Sequence, residues 1–264
     1  MATQAHSVVH WTGSEWKLSN FFREVNSARA ILVCGGPSLK SVDTSLLRGP
    51  GKVVLGMNNT YPFVIPDMWM GMDDPKCYDR RVVFEAFPKF FRGGYQDRGF
   101  QDVFPINMNN VHFINVKKGK RDEIFRRAEK GAKHFIWHNH VMAVAMNLLI
   151  HMGFKDITLV GCDLDNTKSD YHNDIILNDV EKSRNTRLYG DIYAWLKWLN
   201  KECRNRGIHF YSANPNASIN DFMTYRSLDE LNSVVEEDLP EPATCWNAYT
   251  LQKKLSGNKR SITK

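Results

Sequence analysis

The residues able to do chemistry in this sequence stand at the ends of short apolar runs. After Ala30–Cys34 comes Gly35-Gly36-Pro37-Ser38-Leu39-Lys40. Two glycines let a backbone turn sharply and approach a ligand closely, and Ser38 suits the cap of a following helix. A helix N-terminus there would offer N–H groups to a phosphate. The spacing is neither that of a Walker loop nor that of a GxGxxG dinucleotide fingerprint, so a tight turn without a ligand stands beside the phosphate reading. Asn58 and Asn59 follow the run Val53–Met57, and Asp73 and Asp74 follow Met68–Met72. Gly161-Cys162-Asp163-Leu164-Asp165 follows Ile157–Val160. Amides donate and accept at once, which suits the edge of a base or ribose, while carboxylates hold a divalent ion, orient a hydroxyl or take its proton. Each Asp taken singly also reads as a helix cap or turn residue; their joint placement is what points to a site.

His138-Asn139-His140 precedes a strongly apolar segment. Two histidines at this spacing lack the further ligands a zinc ion needs, which leaves contact with an anionic ligand at a helix start, or capping and packing. His172, in the polar stretch Ser169-Asp170-Tyr171-His172-Asn173-Asp174, is a candidate general base in a connection long enough to serve as a lid. A solvated loop histidine is an equal reading of it. The five cysteines are scattered and form no CxxC pair, which excludes a disulfide framework and a zinc knuckle. Cys34 and Cys162 end apolar runs and read as small buried filler.

The elements that must position these residues are legible in the pattern. Strands are predicted at Ala30–Cys34, Val53–Met57, Met68–Met72, His112–Val116, Ile157–Val160 and Ile208–Tyr211. Val141, Val144, Ala145, Leu148, Leu149 and Met152 form one helical stripe ended by Gly153. Leu188, Ile192, Trp195, Leu196, Leu199 and Cys203 form a second, ended by Gly207. Strand and helix alternating through short joints predict an α/β fold, a mostly parallel sheet with helices on both faces, whose ligands bind at the carboxyl ends of the strands.

With 264 residues, 42% hydrophobic and 24% charged, the composition is that of a globular chain and excludes disordered, collagenous and coiled-coil classes. Its longest apolar run, Val141–Ile150, falls short of a membrane span, and the first residues lack a secretion-signal pattern, so a soluble, cytoplasmic protein without a membrane partner is expected. The net charge of +6 is unevenly spread. Lys117–Lys133 and Lys253–Lys264 each carry a local +5, while Asp229–Glu241 carries −6. Such asymmetry suits an anionic partner such as nucleic acid, and equally a solvated helix face with a frayed tail.

GGPSL after the first strand, an Asn after the second, and a helix leading into MGFKDITLVGCDL resemble a family of nucleotide-dependent transferases. That family contains the bacterial family-42 sialyltransferases and the domain-of-unknown-function 115 group, with its hydroxymethylpterin pyrophosphokinase-like members. The resemblance runs from about Ala30 to Asn220 and implies a Rossmann-like, GT-A-like single domain over 29–245. Residues 1–28 are then an N-terminal extension, 164–186 a lid segment and 246–264 a basic tail. It further implies that the Gly35, Gly36, Pro37 and Ser38 loop wraps nucleotide phosphates and that Asn58, Asp73 and Asp74 line the nucleotide site. His138, Asn139 and His140 would contact donor phosphate and sugar, Asp163 would match the G-x-D motif beside the donor, and Asn214-Pro215-Asn216 would belong to the same pocket. Gly35 replaces the Asn of the sialyltransferase loop, and Thr186 stands near the position of their catalytic His, so the base role falls to His172 or Asp73.

The expected activity is glycosyl transfer from a nucleotide-sugar donor to an acceptor hydroxyl, with modified bases of DNA as one acceptor and without reliance on a divalent metal. Diphosphate transfer from ATP to a small alcohol, and a non-catalytic nucleotide- or nucleic-acid-binding module, are the alternatives. A branched side chain at Gly36 is expected to weaken nucleotide binding while leaving the fold intact.

Overall fold

A computed structural model describes residues 8–11, 16–19, 29–49, 51–95, 111–125, 134–164 and 178–232, those of 8–11 and 16–19 by their backbone alone. The strands are β1 (Val8–Trp11), β2 (Trp16–Ser19), β3 (Arg29–Val33), β4 (Lys52–Met57), β5 (Met68–Gly71), β6 (Lys89–Arg92), β7 (Val111–Ile114), β8 (Val116–Lys118), β9 (Phe135–Trp137), β10 (Asp156–Val160), β11 (His209–Ser212) and β12 (Thr224–Tyr225). The α-helices are α1 (Val141–Met152), α2 (Asp179–Arg204) and α3 (Leu228–Asn232). Ten strands form one sheet in the order β12-β11-β10-β3-β4-β5-β6-β7-β1-β2, and β8 and β9 pair separately. From β12 to β7 every pairing is parallel. The hairpin β1–β2, from the expected N-terminal extension, closes the β7 edge antiparallel.

The chain order explains the layers. From β3 to β7 each strand adds on one side; from β10 to β12 each adds on the other. Right-handed crossovers running in opposite directions must lie on opposite faces of the sheet. Accordingly α1 and α2 share one face, where Ala30, Leu32, Val53, Leu55 and Met68 pack against them. Ile31, Val33 and Val54 point to the other face and are covered by the 3-10 turns at Pro37–Ser41 and Thr44–Leu47 together with Leu231 of α3. The mostly parallel α/β sheet is as expected, but among the described residues the second face is covered by 3-10 turns and α3 rather than by long helices.

Three elements depart from the pattern in particular. β6 begins with Lys89, which hid the strand, yet that lysine is fully buried, with its ammonium 5.6 Å from the centre of the Phe87 ring. α1 is buried on nearly every side rather than along one stripe, from Met142 to Met152, as befits a helix wedged between the sheet and β9. Its Asn147 Oδ1 accepts the Ile136 amide of β9 at 3.0 Å, while its Nδ2 is buried with no hydrogen-bond partner among the described residues. α2 begins at Asp179 with a capping box between Asn178 and Glu181, so 179–186 of the expected lid segment is helix. Residues 165–177 lie outside the described residues.

Candidate active site

Between β3 and β10 the direction of strand addition reverses, and at such a switch point the loops leave the sheet on opposite sides and open a crevice. A cavity of about 320 Å³ lies there, at the carboxyl ends of β3, β4, β5 and β10, with the start of α1 on one side and Tyr189 and Ile192 of α2 on another. Three residues other than glycine have left-handed backbone among the described residues, Asn58 (φ 48°), Asn139 (φ 60°) and Leu164 (φ 51°). Asn58 and Leu164 line the cavity and Asn139 adjoins His140, which also lines it. Backbone held in this region costs roughly 1–3 kcal/mol and gathers at functional sites.

The floor of the cavity is the junction of the loops after β3, β10 and β11, and Asp163 binds them together. Its Oδ2 accepts the Ser38 amide at 2.8 Å, and its Oδ1 accepts the Ser38 hydroxyl at 2.5 Å and the Asn214 amide group at 2.6 Å. The Gly36 amide donates to the Gly161 carbonyl at 2.8 Å and the Leu39 amide to the Gly36 carbonyl at 3.1 Å. Gly36, Ser38 and Leu39 therefore direct their N–H groups into the fold, and Pro37 has none. A Cβ on Gly36 would lie 2.5 Å from the Asp163 carboxylate and 2.6 Å from the Gly161 carbonyl. The need for glycine there is thus internal to the fold, and the expectation that a side chain at Gly36 spares the fold is corrected. Gly36 itself is the cap of the 3-10 turn and Ser38 lies inside that turn, so Ser38 serves the clasp rather than a helix cap.

On the β4–β5 side, the Tyr78 hydroxyl accepts the Asp73 amide at 2.7 Å and donates to Asn58 Oδ1 at 3.4 Å, while the Trp69 indole donates to the Asn58 carbonyl at 2.8 Å. Burial raises the Tyr78 phenol far above its ordinary value, with the Asp73 charge adding to the effect, so Tyr78 stays a neutral donor. With its Oδ1 directed at Tyr78, Asn58 keeps its NH₂ donors for another partner. Asp73 and Cys77 line the cavity with exposed side chains. Asp74 instead caps the turn Pro75–Cys77, accepting the Lys76 amide at 2.9 Å.

At the start of α1, His140 is the N-cap. Its Nδ1 accepts the Ala143 amide at 3.1 Å, and its Nε2 is buried with no hydrogen-bond partner among the described residues. Burial, with a smaller contribution from neighbouring His138, pulls its pKa down to about 3. A neutral ring accepting at Nδ1 carries its proton on Nε2. The Val141 and Met142 amides, which have no acceptor within a helix's first turn, belong to residues that line the cavity. His138 does not line it; its ring faces Trp195 with centroids 5.7 Å apart, and burial together with the Arg121 charge lowers its pKa.

Of the residues singled out by sequence, Gly35, Gly36, Pro37, Asn58, Asn59, Asp73, His140 and Asp163 line the cavity, and Ser38 and Asn214 reach it through Asp163. His172 and Asp165 lie outside the described residues. Thr186 sits on the exposed first turns of α2 and bonds the Lys182 carbonyl at 2.9 Å. Sequence reasoning missed Tyr78, Tyr189 and Met142. Only Tyr78 carried a signal, five residues beyond Asp73 in a polar loop.

No family model and no curated protein matches the chain. Solved structures do. The sialyltransferase CstII from Campylobacter jejuni in complex with CMP-3FNeuAc superposes with a TM-score of 0.48 at 18% identity over 78% of this chain and 89% of that one. The same enzyme with cytidine-5'-monophosphate gives 0.48 at 17% over 87% and 99%. The monofunctional α-2,3-sialyltransferase Cst-I from Campylobacter jejuni gives 0.45 at 15% over 84% and 86%. At these identities and TM-scores the likeness identifies neither an activity nor a substrate. No helix among the described residues is long and apolar enough to cross a membrane.

Proposed function

We propose that this chain is a glycosyltransferase that moves a sugar from a nucleotide-sugar donor to an acceptor hydroxyl. One observation carries the reading. Gly35, Gly36, Pro37, Asn58, Asp73, His140 and Asp163 of the sequence resemblance line one cavity at the switch point of the sheet, with Ser38 and Asn214 bonded to Asp163. In that cavity the loop after β3 is the shaped floor, and the donor phosphate lies instead against the Val141 and Met142 amides and the His140 Nε2–H. There the helix dipole and the hydrogen bonds stabilise the negative charge that develops as the sugar leaves. Asn58 offers its NH₂ donors to the nucleoside. Asp73, whose exposed carboxylate stands at the edge, takes the proton of the acceptor hydroxyl, with His172 as the other candidate.

The charged side chains among the described lining residues are Asp73 and Asp163, and the Asp163 oxygens are already engaged. Such a lining suits a donor with few phosphate charges better than ATP, so metal is not needed to hold it. A thermal-shift panel of nucleotides and nucleotide sugars is the direct test. Stabilisation by a nucleotide sugar and its nucleotide, with sugar transfer or slow donor hydrolysis that survives EDTA, is expected. Response to ATP alone, restored by Mg²⁺, would favour diphosphate transfer; binding without donor turnover would favour a non-catalytic module.

The acceptor we infer is DNA carrying modified bases. Lys117, Lys118, Lys120 and Arg121 are exposed, and Lys118 of β8 stands opposite Trp137, one residue before His138. The basic run thus flanks the turn that leads to His140, where a phosphate backbone would be guided to the cavity. Fluorescence anisotropy at two salt concentrations should detect weak duplex binding, with Kd on the order of 10⁻⁴–10⁻⁶ M at physiological salt, that weakens when these four residues are neutralised. Absence of binding at low salt would leave a glycan, protein or small molecule as acceptor.

A further inference from the structure

Beneath the start of α1 the side chains of Cys34, Cys162 and Met142 gather in one buried cluster. Val33 of β3 and Val160 of β10 are register partners, and the Cys34 amide donates to the Val160 carbonyl at 2.7 Å, which brings the ends of these strands side by side. Gly161, at φ 67°, turns the chain so that Cys162 joins Cys34 in the cluster packed against α1. Met142, one residue into that helix, comes down on them with its Sδ 3.7 Å from Cys162 Sγ. Interaction with Cys162, together with burial, raises the Cys34 thiol well above its usual value. Cys34, Cys162 and Met142 are 7%, 4% and 6% exposed, yet all three line the cavity, so a small ion can reach them.

We propose that Cys34, Cys162 and Met142 form a binding site for a soft monovalent cation, Cu(I) or Ag(I). Two thiolates and a thioether are the donor set that such ions select. Two sulfurs each about 2.3 Å from one ion at a trigonal or tetrahedral angle lie roughly 3.8–4.0 Å apart, close to the separation of Met142 and Cys162 already present. Binding moves no electrons: each thiol releases its proton to solvent, two S–metal bonds form to the thiolates, and the thioether completes a three-coordinate centre. No group of three or more His, Cys, Asp or Glu able to hold a metal occurs among the described residues, so Zn²⁺, which takes four ligands of that kind, is not the ion expected. A cation here occupies the cavity floor beside Gly35 and Gly36 and so acts on the cavity as an inhibitor.

The site is tested without nucleotide, which keeps it separate from the reading of the cavity as a donor site. In full-length protein carrying Cys77→Ser, Cys203→Ala and Cys245→Ser, anaerobic Cu(I) competition against a chromophoric chelator should give one tightly bound equivalent. Affinity should rise with pH as the thiols ionise. Cys34→Ala or Cys162→Ala should weaken it at least about 100-fold and Met142→Leu about 10-fold. Met142→Leu conserves side-chain volume, so it decides the matter even where a cysteine variant fails to fold. Absence of an equivalent that competes with the chelator, or undiminished affinity in folded Cys34→Ala or Met142→Leu, would overturn the proposal.

Discussion

At His140 the two ring nitrogens face different surroundings: Nδ1 holds the Ala143 amide, and Nε2, which carries the proton, is buried with no hydrogen-bond partner among the described residues. His140→Asn separates the two, since Asn is among the best N-caps but cannot reproduce the Nε2–H. The variant is expected to keep its melting temperature at neutral pH and to lose about tenfold in nucleotide affinity, the worth of one hydrogen bond to a charged group, by calorimetry. The ring also sets an acid dependence. The unfolded chain protonates this histidine near 6.5 and the folded chain only near about 3, so unfolding takes up a proton across that interval. Stability is complete above pH 6.5 and falls as the pH drops toward 3. Denaturation midpoints between pH 7 and 5 should fall less steeply in His140→Asn; equal slopes would mean that another group controls the acid limb.

The β3, β10 and β11 loops act together because Asp163 gives each of them an acceptor or an anchor. Removing that carboxylate leaves the Ser38 amide, the Ser38 hydroxyl and the Asn214 amide group without their acceptor, each costing roughly 1–3 kcal/mol where water does not replace it. Asp163→Ala should therefore lower stability by about 2–4 kcal/mol in urea denaturation. Gly36→Ala acts on the same junction by overpacking, with an expected loss of about 1–3 kcal/mol, since its Cβ meets Asp163 and Gly161 and neither has room to retreat. The pair should be non-additive, because Asp163→Ala removes one of the two groups that the Gly36 side chain strikes. If Gly36→Ala melts like the wild type, the clasp is looser than these distances imply.

Across the whole molecule the most unusual energetic feature lies away from the cavity. Lys89 starts β6 with no exposed surface, its ammonium bonded to the Val83 carbonyl at 3.3 Å and to the Glu85 carbonyl. Burial draws its pKa down to about 7, against a smaller opposing pull from the Glu85 charge. Between that value and 10.5, the ordinary lysine value, the unfolded chain holds a proton that the folded chain has released, so stability rises as pH increases from 7 and levels off above 10.5. The full effect is on the order of 5 kcal/mol. Lys89→Met should flatten this limb, seen as a smaller gain in urea midpoint between pH 7 and 9.5 than in the wild type. An unchanged limb would assign the rise to other groups.

What was legible in the sequence follows from local physics. The strands β3, β4, β5, β10 and β11 are buried parallel strands, which read as apolar runs whatever their neighbours, and Gly153 stops α1 where the pattern ends. The rule that ligands bind at strand carboxyl ends points to Asn58 and Asp73, and the start of a helix points to His140; all three line the cavity. β6 was hidden because a charged residue opens it, and its lysine is tolerable only where the Val83 and Glu85 carbonyls happen to converge. The roles of Gly36 and Asp163 were equally out of reach. Only when β10 pairs with β3 does Asp163 come within 2.8 Å of Ser38, and only then do the amides of Gly36, Ser38 and Leu39 turn inward. Residue types and periodicity fix where the chain can place polar groups; which of those groups satisfy one another, and which remain for a ligand, is settled by contacts between residues far apart in sequence.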